Sequence, residues 1–99
     1  MQEISQILVD FNEKGKKIFF SLYDQFRQTA KRLDRTKDNN VFQQQEGKYL
    51  ATLKHQLESL AVEMMNKNKT IENTSQLNKK LTDTVNQFLS EFQQKTRSL

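Results

Sequence analysis

Five basic side chains crowd into one short stretch of this chain: Arg27, Lys31, Arg32, Arg35 and Lys37, opposed there only by Asp34. Their balance of +4 equals the net charge of the whole sequence, so the remainder taken together is neutral. Arg27, Lys31 and Arg35 recur at i, i+4 and i+8, which places three cations along one face of a helix. Such a band suits phosphate oxygens without reading base sequence, making Arg27, Lys31, Arg35 and Lys37 candidate nucleic-acid contacts. A solvated face opposite an acidic partner is the competing interpretation.

Other candidate chemistry is thin. His55 is the only histidine, it falls beside Lys54, and no second residue stands at metal-ligand spacing from it. With no cysteine there is neither a thiolate nucleophile nor a disulfide framework. No phosphate-binding glycine loop, nucleophile elbow or carboxylate pair occurs. An enzyme is therefore not expected, and neither is a cofactor or metal. Ser90, Thr96 and Ser98 offer hydroxyls for modification, and nothing in their surroundings singles one out.

The elements that carry these residues must be helical. The 99 residues include no proline and two glycines, with 34% hydrophobic and 28% charged residues, so little punctuates strands or interrupts a helix. Acid-before-base pairs at i, i+4 (Asp10 and Lys14, Glu13 and Lys17, Glu63 and Lys67, Glu91 and Lys95) each support helix by about 0.2–0.5 kcal/mol. Apolar residues at Leu50, Leu53, Leu57, Leu60, Met64, Ile71, Leu81, Val85, Phe88, Phe92 and Leu99 fall on a and d sites of one heptad frame. The same frame runs back through Leu22, Ile18, Phe11, Leu8, Ile4 and Met1, with Gly15 on an a site. A stripe of this kind needs a partner helix to cover it. After Leu22 it drifts to Phe26, Ala30 and Leu33, a stutter that locally unwinds a coiled coil. Lys67, Thr74 and Asn78 form a polar interval in the C-terminal seam, which either fixes register or marks a weak stretch.

Residues 34–48 form a polar, amide-rich middle in which Asp38-Asn39-Asn40 and Gly47 are the loop candidates. Because the frame resumes at Leu50 a whole number of heptads after Leu22, the expected fold is all-α: one coiled-coil segment over 1–99, a single continuous helix of about 150 Å. The alternative is a helical hairpin. Apolar flanks such as Ile7, Phe19 and Phe20 widen the stripe beyond a dimer seam and favour bundles of three or four helices. The expected oligomerisation seam is thus Ile4, Leu8, Phe11, Ile18, Leu22, Phe26 and Leu33, then Leu50, Leu53, Leu57, Leu60, Met64, Ile71, Leu81, Val85, Phe88, Phe92 and Leu99. No apolar run approaches the roughly 20 residues of a membrane span, and Met-Gln-Glu-Ile lacks the basic start of a signal peptide, so an intracellular, membrane-free protein is expected.

Leu22-Tyr23-Asp24-Gln25-Phe26, followed by a charged helix to Leu33 and then Asp38-Asn39, resembles the coiled-coil core of meiotic chromosome axis proteins. These are the lateral-element proteins of the synaptonemal complex and their fungal Red-type counterparts. The specific part covers about 18 residues; the rest shares only a long, amide-rich helix with a similar seam. The resemblance implies a fragment of a larger nuclear, chromosome-associated protein. Its homotetrameric bundles would join end to end into filaments that scaffold the axis, with other axis proteins as partners. The basic band departs from the animal members, so DNA contact is not carried over to Arg27 or Lys31. Two other functions fit the residues: a small helical-hairpin export chaperone or secreted pairing protein, and a nucleic-acid-binding coiled coil.

Overall fold

Helix dominates the described residues, and no proline interrupts it. The computed structural model describes residues 4–34, 36–67 and 74–99. They form three helices, α1 (Ile4–Lys31), α2 (Asn39–Lys67) and α3 (Thr74–Arg97), with no strand among the described residues. The all-α expectation holds. The continuous rod does not: the chain doubles back into a bundle measuring 53 × 18 × 18 Å, about a third of the length of a single extended helix.

The reversal after α1 is built by two aspartates. At the end of the helix, Arg32 N–H donates to Thr29 O and Leu33 N–H to Ala30 O, both at 3.1 Å, tightening the last turn. Asp34 then accepts from both the amide (3.0 Å) and the hydroxyl (2.6 Å) of Thr36 through Oδ1, an aspartate turn that competes with helix. These bonds hold the Asp34 carboxyl below its usual range. Asp38 Oδ2 accepts from Asp34 N–H, and Asp38 O accepts from Phe42 N–H as the first bond of α2. The break therefore falls at 32–38, and residues 39–48 of the expected polar middle are helical. Gly47 lies inside α2 and is no loop residue.

Contacts fix the topology. Phe26 meets Phe42 and Tyr49 at ring-centroid distances of 5.3 and 5.5 Å while Gly15, earlier in α1, lies against Leu57, later in α2, so α2 runs antiparallel to α1. Phe19 meets Phe88 at 5.9 Å and Phe26 meets Phe92 at 6.3 Å, so α3 runs parallel to α1. Each helix packs on both others. The buried stripe of α1 is Ile7, Phe11, Gly15, Phe19, Leu22 and Phe26, and that of α3 is Leu77, Leu81, Val85, Phe88, Phe92 and Thr96. Each stripe buries one residue per turn, and its consecutive four-residue steps (7-11-15-19 and 77-81-85) carry it diagonally across the a/d frame, so that one helix meets two neighbours.

Thr96 is the one buried polar side chain among the described residues, and it links α3 to α2. Its hydroxyl lies 2.6 Å from Glu46 Oε2, a short, charge-assisted contact, with Gln93 O at 2.9 Å as the local acceptor. Thr96→Val keeps the shape and removes the donor, and is expected to cost about 1–2 kcal/mol in urea unfolding. An unchanged midpoint would show that this contact contributes nothing.

Candidate functional site

The expected seam is covered mostly by the chain's own helices. Phe11, Leu22, Phe26, Leu53, Leu57, Leu60, Met64, Leu81, Val85, Phe88 and Phe92 are buried in the core of this single chain. Ile4, Leu8, Ile18, Leu33 and Leu50 are half-buried against it, and Leu99 is exposed. Met1, Ile71 and Arg35 lie outside the described residues, as does the side chain of Thr74. Of the polar interval, Lys67 closes α2, Thr74 opens α3 and Asn78 is exposed, so the interval marks a helix boundary. The heptad reading undervalued Ile7, Phe19 and Phe42 and missed Leu77. The signal for the first two was the i+4 chain Ile7, Phe11, Gly15, Phe19, which runs diagonally to the a/d frame.

The basic residues gather at one end of the bundle. Arg27 and Lys31, both exposed, rim a hollow of about 400 Å³ whose walls include Ala30, Leu33, Phe42 and Leu99. Arg27 Nη2 is 3.8 Å from Asp24 Oδ1, a surface contact of small energetic weight. Lys37 sits in the turn, and Arg97 of α3 lines the neighbouring hollow with Asn39, Phe42, Gln43 and Glu46. The result is a cationic corner over an apolar floor.

His55 is exposed on α2, and no group of three or more potential metal ligands gathers among the described residues. No protein-family model, characterised protein or solved structure matches the chain. Its own surface therefore has to carry the functional reading.

The most distinctive surface belongs to α2, which bears apolar residues on two faces. One face carries Phe42, Leu53, Leu57, Leu60 and Met64 into the core. The other presents Gly47, Ala51, Lys54, Glu58, Ala61 and Met65, flanked by Leu50 and by Val62, which is 59% exposed. Two hollows of about 390 and 290 Å³ run between this face and α3, the first floored by Leu50, Ala51 and Leu89, the second by Ala61, Val62, Met65 and Val85. On the α3 side the walls are Asn78, Thr82, Asn86, Ser90 and Gln93, all uncharged. Farther round α2, Glu63 binds Lys67 at 3.0 Å and feels Lys14 of α1, which together hold its carboxyl below its usual range. Exposed Phe20 on α1 is shielded by Lys95, whose Nζ lies 5.7 Å from its ring centroid and 5.5 Å from that of Tyr23.

Proposed function

We propose that this chain is a structural helix-docking module, a compact bundle that acts by pairing its α2 outer face and the adjoining α3 groove with another helix. The supporting observation is that groove: once the core is closed, apolar Leu50, Ala61, Val62, Met65 and Leu89 remain only partly covered in one band along the bundle. Grooves with apolar floors and few charges take up amphipathic helices. Of the functions fitting the sequence, this is the small helical chaperone or pairing protein. Amide-shift mapping with added amphipathic helical peptides should move signals of Ala61, Val62, Met65 and Leu89. A chain that takes up no helix and stays monomeric at every concentration would contradict the proposal.

The axis-filament reading requires other copies to join the bundles end to end into homotetramer-based filaments on meiotic chromosomes in the nucleus. It draws support from the apolar end formed by Ala30, Leu33 and Leu99. Negative-stain images with only discrete short particles at all salt and protein concentrations would remove it. Phosphate contact by Arg27, Lys31 and Lys37 is compatible with either reading, and predicts affinity for nucleic acid that falls steeply with salt.

A further inference from the structure

The outer face of α2 is complementary to itself in the reverse direction. Gly47, Ala51, Lys54, Glu58, Ala61 and Met65 are spaced 4-3-4-3-4, the pattern of an a/d seam, and they run along the flank of α2 beside the α3 groove, Ala61 and Met65 half-buried and the other four exposed. They are also symmetric about Gln56: position 47 mirrors 65, 51 mirrors 61, and 54 mirrors 58. Two copies of α2 laid antiparallel about a two-fold axis at Gln56 bring Lys54 of each to Glu58 of the other. Ala51 then meets Ala61, and Gly47 meets Met65. Small residues set opposite each other let the helix axes approach, and the largest apolar side chain of the stripe, Met65, faces the residue with none.

Gly47 supplies an independent indication. Glycine inside a helix is destabilising relative to alanine, and what it offers there in return is room for a close approach. Within the chain a Cβ at Gly47 would meet nothing within 4 Å, in contrast to Gly15. The fold of one chain therefore gives no reason for it, whereas an opposing Met65 does. A parallel pairing would set Lys54 against Lys54, Glu58 against Glu58 and Met65 against Met65, combining like charges with crowding.

We infer that the occupant of the α2 face is a second copy of this chain, bound antiparallel through an isologous two-fold interface whose register is set by reciprocal Lys54–Glu58 contacts. The inference rests on the helix-docking reading and names its partner. Because the register is set by ionic contacts, the association weakens with added salt.

Sedimentation equilibrium on the full chain, with Lys54→Glu, Glu58→Lys and their 1:1 mixture, tests it. The unsubstituted chain should reach twice its 11.8 kDa mass. Each reversal alone should raise the dimer Kd roughly tenfold or more, by turning two attractive contacts repulsive. The mixture should regain affinity, because each chain then offers the charge the other needs. Both positions are exposed, so helicity by circular dichroism should stay constant in every sample. Geometry is tested by Ala51→Cys combined with Ala61→Cys in this cysteine-free chain. The two positions are about 15 Å apart along one helix, beyond disulfide reach. Any disulfide must therefore join two chains; a covalent dimer is expected on mild oxidation of the double variant and not of Ala51→Cys alone. An antiparallel pair holds the two sulfurs of that single variant about 15 Å apart, whereas a parallel pair would bring them together. A dimer indifferent to both reversals, or a mixture no tighter than its components, would overturn the antiparallel α2 interface. An unsubstituted chain that stays monomeric would overturn it as well. Amphipathic peptides that still bind the groove would then leave the docking reading standing, and failure of both would remove the two together.

Discussion

Phe92→Ala is expected to lower the unfolding free energy by about 3–5 kcal/mol, a large part of the roughly 5–15 kcal/mol that holds a domain together. Phe92 has no exposed surface, and its ring lies 5.5 Å from Phe19, 6.1 Å from Tyr23 and 6.3 Å from Phe26 by centroid. Two of these pairs are edge-to-face, the favoured geometry for aromatic quadrupoles. All three partners belong to α1, so truncation opens a cavity at the seam between α1 and α3 and loosens both. Urea denaturation followed by circular dichroism reads the loss directly. The outcome also separates two roles for the same residue. If Phe92 instead joined separate bundles, its removal would change particle size and leave the melting of each bundle nearly unaltered.

Gly15→Leu is the second large effect, with an expected loss of about 3 kcal/mol from overpacking. A Cβ at Gly15 would stand 2.9 Å from Cε2 and 3.1 Å from Cζ of Phe88, and 3.3 Å from Cδ2 of Leu57. Neither neighbour can retreat easily, since Leu57 is fully buried and the Phe88 ring is itself packed on Phe19. All three helices therefore converge on this one position. Gly15→Ala sets two terms against each other: a gain of about 0.5–1 kcal/mol in helix propensity and a steric cost of about 1–3 kcal/mol. The steric cost should prevail, giving a small net destabilisation. A stabilised alanine variant would mean that α1 packs less closely than the geometry indicates.

The helical class was legible because nothing in the composition opposes helix, and the seam was legible as a set of buried positions. Phe11, Leu53, Leu57 and Phe92 sit where the heptad placed them, in the dark of a core. What covers them was not legible. A stripe closed by another copy and a stripe closed by the next helix of the same chain have the same period, and only the connection between helices distinguishes them. That connection depends on Asp34 and Asp38 bonding to local backbone, a preference easily overlooked beside a frame that resumes in register at Leu50. Position 15 shows the same limit: the heptad frame puts a glycine on an a site without a reason for it, and the reason appears only when Phe88 arrives from a distant part of the chain. The α2 outer face was hidden for a different reason. Lys54 and Glu58 interrupt its apolar character, and Gly47, Ala51 and Ala61 add little hydrophobicity, so the stronger stripe at Leu53, Leu57 and Leu60 masked it. The basic band kept its sequence reading in part, since Arg27 and Lys31 do share one rim.

The central claim is that this chain covers its own seam. Small-angle scattering combined with light scattering, on one sample, measures length and mass together. The account predicts a longest dimension close to the 53 Å of the bundle, for one chain or for two lying side by side. A particle approaching about 150 Å in length would instead mean that the helices run on as a continuous rod, and would contradict it.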